Sequence, residues 1–336
     1  MSGSKKNSNA SRETFLKKYD NINLRNDLAT VEKRVPGFWD VLEDIREHYR
    51  QSLHIYKSAL GNIIDEISNE DMSHPVIHSI RYRAKDVDSL IVKLIQKSAQ
   101  VPMDPQGNPD IEKYRIINKD NYYKLITDLI GVRILIRYRH QWKDVHSLIW
   151  KLFHSDEYEY IENWVDEYKN DPAVKYIVEK PKAYVKQSTD RPIYEEIGKN
   201  IFDIKDSNNH YASLHYIVNV GGRYCEIQVR TIFDEAWCEC DHDFVYKAAT
   251  KSKKDKKTLE KLSIILSQHT TAAESIVNLM CELATPTPAK KNAKAQEVRS
   301  HTDSQDKLSK SFSAIQKRAE QLSETESFID SLIHID

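Results

Sequence analysis

The chain has 336 residues, enough for one large domain or two modest ones. Its 50 basic and 51 acidic side chains leave a formal net charge of −1, which argues against bulk electrostatic binding to duplex DNA but leaves room for a local basic patch. Glycine is scarce at 8 residues, about 2% against a usual ~7%, and no pair has the G-x-G spacing. That excludes a glycine-rich phosphate cradle, so a phosphate site here must be built from side chains.

No window approaches 18 consecutive apolar residues, and the polar stretch Met1–Ser11 lacks an apolar signal core. The cysteines (Cys225, Cys238, Cys240, Cys281) show no C-x-x-C spacing. These features predict a reduced, cytoplasmic protein with no membrane partner.

Residues 1–11 read as a disordered tail and 12–75 as an N-terminal helical segment. Helix is predicted from about Leu24 to Ser68, broken near Pro36-Gly37, with Leu42, Ile45, Tyr49, Leu53, Tyr56, Leu60 and Ile64 at helical spacing. A core over 76–250 opens with a strand at Val76–Tyr82 and a helix at about Lys85–Gln100. Val101–Pro109 is expected as a loop. The β-branched run Leu129–Tyr138 predicts a buried central strand, followed by a helix at Trp142–Phe153 and a strand at Val174–Val178. Residues 180–207 carry no usable periodicity.

Ser213–Val220 and Arg223–Arg230 flank Gly221-Gly222, the pattern of a two-residue hairpin, and a helix follows at Ile232–Lys247. Residues 251–284 form a helical extension, amphipathic from Leu259 to Leu283. The remainder, 285–336, reads as a linker plus an amphipathic helix. There Leu308, Phe312, Ile315, Ala319 and Leu322 repeat at 4-3-4-3 spacing, which suits either a homo-oligomer or packing on the body.

Four features could carry chemistry. Asp128 and Glu226 stand on the two strongest strands and could converge on one Mg²⁺, although a strand carboxylate also suits a pair with a neighbouring arginine. Arg83 precedes a stripe of Lys85, Ser89, Lys93 and Lys97 at four-residue spacing, fit for a polyphosphate or for a solvated helix face. Asn208, Asn209, His210, Tyr211 and His215 surround a strand start where a tyrosine can stack on a base or simply pack. Glu226, Gln228 and Arg230 alternate onto one face of their strand, lining either a cleft or a solvent-facing surface.

Together R-A-K-D-V-D-S-L-I-V-K (83–93), D-L-I-G-V-R-I (128–134), Y-A-S-L-H (211–215) and E-I-Q-V-R-T (226–231) resemble the synthetase domain of the RelA/SpoT family of alarmone synthetases, and A-W…D-H-D…Y-K (236–247) also fits. The resemblance implies an α+β, nucleotidyltransferase-like mixed sheet of about five strands flanked by helices, with additional N- and C-terminal helices. It implies a (p)ppGpp synthetase of the small, synthetase-only kind, moving pyrophosphate from ATP to the ribose 3′-hydroxyl of GDP or GTP with Mg²⁺. Carried over residue by residue, Arg83, Lys85, Ser89 and Lys93 hold the ATP phosphates. Asp128 binds the metal, and Glu226 aids it or accepts the hydroxyl proton. Tyr211 stacks on the acceptor base and His215 meets its phosphate, with Asn209, Gln228, Arg230 and Arg133 in support. His210 stands where the family usually has glycine, and the acceptor loop is shortened after Ile204-Lys205-Asp206. Acceptor identity therefore stays open to tRNA 3′ ends or adenosine nucleotides, and a catalytically silent nucleotide-sensing module is the alternative outside enzymes.

Overall fold

The computed structural model describes residues 2–19, 22–72, 75–100, 117–153, 175–186, 191–195, 201–207, 210–246 and 253–284. The stretches read above as the 101–109 loop and the 285–336 linker and heptad segment lie outside the described residues, as does Asn209.

Helices come first: α1 (Ser2–Tyr19), α2 (Ile22–Arg34) and α3 (Phe38–Asp71). The expected disordered tail is instead the first turns of α1, whose later part buries Phe15 and Leu16 and sets Phe15 5.4 Å from the Trp39 ring. Pro36-Gly37 separates α2 from α3, with Gly37 in the left-handed region at φ 81. Along α3, Leu42, Ile45, Tyr49, Tyr56, Leu60, Ile63 and Ile67 are buried and Leu53 is half-buried, together a stripe at three- and four-residue steps facing the core.

The sheet has seven strands rather than about five. β1 (Ile77–Ala84) leads into α4 (Val87–Ala99), and the short α5 (Tyr122–Leu125) precedes β2 (Ile130–Ile136). Then come α6 (Trp142–Phe153), β3 (Tyr176–Ile177), β4 (Lys182–Val185), α7 (Arg191–Glu195), β5 (Asp203–Asp206) and the hairpin β6 (Ser213–Val220) and β7 (Arg223–Thr231). The spatial order is β1-β2-β7-β6-β4-β5, with β3 on β6. β2 runs parallel to β7, and β4 to β5; the other pairs are antiparallel. The extra strands β4 and β5 come from 180–207, where short polar segments pair only through distant partners.

The expected helix at Ile232–Lys247 divides: α8 (Ile232–Cys240) gives way to a π-helical turn at Asp241–Tyr246. Helix α9 (Lys253–Ala284) closes the described chain. No helix among the described residues is long and apolar enough to cross a membrane.

The strand period of two gives the sheet two unlike faces. One carries Ile130, Val132, Ile134, Cys225, Ile227, Val229, Leu214, Tyr216 and Val218, all buried. Helix α6 covers it, with His146 Nδ1 3.0 Å from the Tyr216 hydroxyl. The other face carries Arg81, Arg83, Arg133, Glu226, Gln228, Arg230, His215 and Tyr184, and α8 lies on part of it through Glu235.

Candidate active site

The polar face holds two side-chain clusters joined by a bare floor. The first begins at the end of β1. The Lys85 N–H donates to the Leu129 carbonyl at 2.8 Å, and its own carbonyl accepts from the Tyr49 hydroxyl at 2.7 Å. The backbone is thus fixed where the basic stripe starts. Asp86 caps α4 by accepting from the Ser89 N–H at 3.0 Å, and α4 turns Leu90, Ile91, Leu94 and Ile95 to the core. That rotation aims Lys93 back toward β2.

Lys85 Nζ and Lys93 Nζ both reach Asp128 Oδ2, at 2.8 and 2.7 Å. Burial pushes the Asp128 carboxyl up, but the two lysines outweigh it and hold it below its usual range. Burial also lowers Lys85, which Asp128 only partly offsets. Asp128 Oδ1 is buried and has no hydrogen-bond partner among the described residues. Two roles shift here. Ser89 spends its N–H and its hydroxyl on the Asp86 cap, and Lys97 is exposed on the far turn.

The second cluster sits on β6 and β7. Arg230 Nη2 donates to the Tyr211 hydroxyl (2.5 Å) and to Gln228 Oε1 (2.7 Å). Tyr211 Oη lies 2.8 Å from His215 Nε2, and His215 Nδ1 lies 3.1 Å from Glu226 Oε1. With the Arg230 proton on Tyr211, the consistent assignment sends Tyr211 O–H to His215 and His215 Nδ1–H to Glu226. Gln228 Nε2 donates to the other Glu226 oxygen at 2.8 Å. Burial raises the Glu226 carboxyl, yet the hydrogen bonds from His215 and Gln228 bring it below its usual value. Glu226 is therefore a half-buried, oriented carboxylate at neutral pH.

His215 spends both ring nitrogens inside the protein, so it positions Glu226 rather than presenting a free nitrogen to phosphate. The Arg230 guanidinium lies 4.8 Å from the Tyr211 ring centroid, and Tyr184 meets that ring edge-on at 5.6 Å. Arg230 is also tied to Glu235 on α8 at 3.1 Å, and Arg133 pairs with Glu235 and Glu239 at 2.6 and 2.7 Å. Sequence reasoning missed Tyr184 and Glu235. Tyr184 lies in the unassigned 180–207 stretch, and no local signal distinguishes Glu235 from any helix-surface glutamate.

Between the clusters, Gly131 pairs with Arg83 on one side and Glu226 on the other. The floor carries no side chain there, and a Cβ would touch Arg83 Cγ at 3.9 Å. Arg83 is exposed and makes no ion pair with another described residue, whereas the Asp128 charge acts on Glu226. An anion lying over Gly131 would have Arg83, Lys85 and Lys93 on one flank and a carboxylate on the other. Among the described residues no group of three or more His, Cys, Asp and Glu could hold a metal by itself. The unshared Oδ1 of Asp128 fits a hard cation that takes one or two carboxylates and draws its other ligands from substrate phosphate.

His210 is the one non-glycine residue with positive φ among those described, at 59. The loop needs a left-handed residue immediately before Tyr211, which is the conformation glycine adopts without strain.

A mixed sheet thus carries one apolar face and one face where cations and carboxylates converge. Residues 82–251 match the family described as the region found in RelA / SpoT proteins, and the chain belongs to that family. Among solved structures, a GTP pyrophosphokinase family protein from Streptococcus pneumoniae is similar at 16% identity and a TM-score of 0.42, over 71% of this chain and 98% of its own. The small alarmone synthetase 1 from Bacillus subtilis, bound to its product pppGpp, is similar at 18% identity and a TM-score of 0.42, over 71% and 100%. The small alarmone synthetase 2 of the same organism shows 22% identity and a TM-score of 0.41, over 70% and 98%. No curated protein sequence matches the chain.

Proposed function

We propose that this protein transfers the pyrophosphate of ATP to the ribose 3′-hydroxyl of GDP or GTP, forming (p)ppGpp. Family membership supports the reaction class. The observation that carries the reading is the half-buried, ionised Glu226 facing Arg83 across Gly131, beside the Lys85–Asp128–Lys93 cluster.

Arg83, Lys85 and Lys93 neutralise the ATP phosphates. Asp128, with Glu226, would hold Mg²⁺, which when bound spreads the charge of the transferring group. The 3′-oxygen bonds to the β-phosphorus as the bond from that phosphorus to the α-phosphate bridging oxygen breaks, releasing AMP. The hydroxyl proton passes to Glu226, whose oxygens keep lone pairs beyond those used by His215 and Gln228. A carboxylate of depressed basicity suffices, because a loose phosphoryl-type transition state demands positioning and charge neutralisation more than a strong base. Tyr211, braced by Arg230, would stack on the acceptor base. Four free thiols suit a cytoplasmic setting.

Purified protein incubated with labelled ATP and GDP, GTP or deacylated tRNA tests this. Label is expected on the guanine nucleotides and lost in Asp128→Asn. Label on tRNA alone would overturn the acceptor assignment. No label on any acceptor, from protein with a cooperative melting transition, would overturn the enzyme reading.

A further inference from the structure

A third group of charges lies inside the protein, apart from the two clusters of the polar face. Lys186 just past β4, Arg139 in the turn Arg139–Gln141 after β2, Asp234 in the first turn of α8 and Glu274 on α9 come from four separate elements. Their side chains are exposed by only 3%, 13%, 6% and 4%. Lys186 Nζ lies 2.5 Å from Asp234 Oδ1, Arg139 Nη2 lies 4.0 Å from Asp234 Oδ2, and Arg139 pairs with Glu274. Helix α9 adds a second contact, the Thr271 hydroxyl, which accepts from Lys186 Nζ at 3.4 Å. Two cations and two carboxylates leave the group neutral as a whole. Desolvation offsets most of the attraction in such a network, so its stronger effect is to fix how its elements sit against one another.

What it fixes here is the end of the polar face that carries Tyr211. Lys186 follows Tyr184 by two residues, and the Tyr184 ring stands 5.6 Å from that of Tyr211 and 4.8 Å from that of His215. Asp234 precedes Glu235, which holds Arg230 at 3.1 Å, and Arg230 donates to the Tyr211 hydroxyl at 2.5 Å. Tyr211 is thus steadied from two directions, through β4 and through α8, and both routes start at Asp234. The Lys85–Asp128–Lys93 cluster lies at the opposite end of β2: Asp128 precedes Ile130, whereas the Arg139 turn follows Ile136. A disturbance at Glu274 should therefore reach one end of the face and spare the other.

We propose that Glu274 is a positioning residue for the acceptor nucleotide. Through Arg139 and Asp234 it holds Tyr184 and Arg230 against Tyr211, so the acceptor subsite is incomplete without α9. The inference rests on the guanine-nucleotide acceptor reading above, but its structural half can be measured without any transfer.

Glu274→Gln in the full chain, which removes the charge and keeps the shape, tests it. KM for GDP should rise about tenfold, while kcat and KM for ATP stay within about twofold. A variant that was merely less stable would lose kcat through its folded fraction and leave both KM values in place. Hydrogen exchange should quicken at least about threefold across 182–186 and 211–216, with β1 and α4 unchanged. An unchanged KM for GDP in a cooperatively melting variant would overturn the proposal. So would a parallel rise in KM for ATP, or equal quickening of exchange throughout. Should Glu274→Gln lose its cooperative transition, Thr271→Val takes its place: it deletes only the hydroxyl facing Lys186, and KM for GDP should rise about threefold, an unchanged value again overturning the proposal. If the unsubstituted protein transfers nothing to GDP, the acceptor reading fails by itself, and the exchange pattern still decides whether Glu274 orders the Tyr211 end.

Discussion

The two faces of the sheet are built from the same strands and behave as different materials. On the α6 side nearly every position is a fully buried aliphatic or aromatic side chain, and the one polar pair, His146 with Tyr216, satisfies itself. On the other side the same strands present an exposed Arg83 and, beside it, Glu226, Gln228 and Arg230, which are held by hydrogen bonds and ion pairs rather than by close packing. Stability and chemistry are thereby separated by a single residue step along each strand. Substitutions at neighbouring positions should therefore have unlike consequences.

The largest effect is expected at Glu226. Glu226→Gln keeps the shape and the contact with Gln228 but removes the charge, and transfer should fall by about a thousandfold. The urea midpoint should move little. A comparable loss of both would mean that the polar face also carries the fold. Its neighbour in the opposite sense is Ile134, buried on the apolar face. Ile134→Ala should cost about 3 kcal/mol of stability in urea titrations, while transfer per folded molecule stays within about twofold.

The pH dependence sharpens the contrast. Burial lowers the His146 imidazole to about 4, whereas in the unfolded chain it takes a proton near 6.5. A base depressed in the folded state contributes fully above pH 6.5, and its contribution is lost as pH falls toward 4. About 3 kcal/mol should disappear across that window. His146→Phe should flatten it, as followed by urea midpoints from pH 7 to 4. On the polar face Glu226 and Asp128 are lowered below the carboxylate range, so their contribution persists above about pH 4 and fades only in stronger acid.

The smallest effect is expected at His210. Relieving its left-handed strain by His210→Gly should raise stability by about 0.5–1 kcal/mol, read as an upward shift in the urea midpoint. A lower midpoint would show that side-chain contacts of His210 outweigh the strain.

Much of this was legible in the chain alone because it is local. The hairpin around Gly221-Gly222, the helix Trp142–Phe153 and the α4 stripe each announce themselves within a dozen residues. The nearness of Asp128 to Glu226 was legible only as a possibility, since nothing nearby in sequence states that Ile130 lies beside Cys225 in a parallel pair. The 180–207 stretch was opaque because β4 and β5 are four residues each and owe their existence to β6. The polar first turns of α1 read as a tail because the apolar anchors Phe15 and Leu16 come only near its end.

By itself the sequence determined that any phosphate site here must be made of side chains: glycine is too scarce for a backbone cradle, and the cations and carboxylates stand at spacings that strands and helices turn to one side. Only the tertiary structure decided how those side chains divide their work. Ser89 serves the helix cap, His215 orients Glu226 through both its nitrogens, and Tyr211 is braced by an arginine that α8 in turn secures. Hydrogen-bonding capacity belongs to residue type and can be read in one dimension. Which partner consumes it depends on strands brought together from distant parts of the chain.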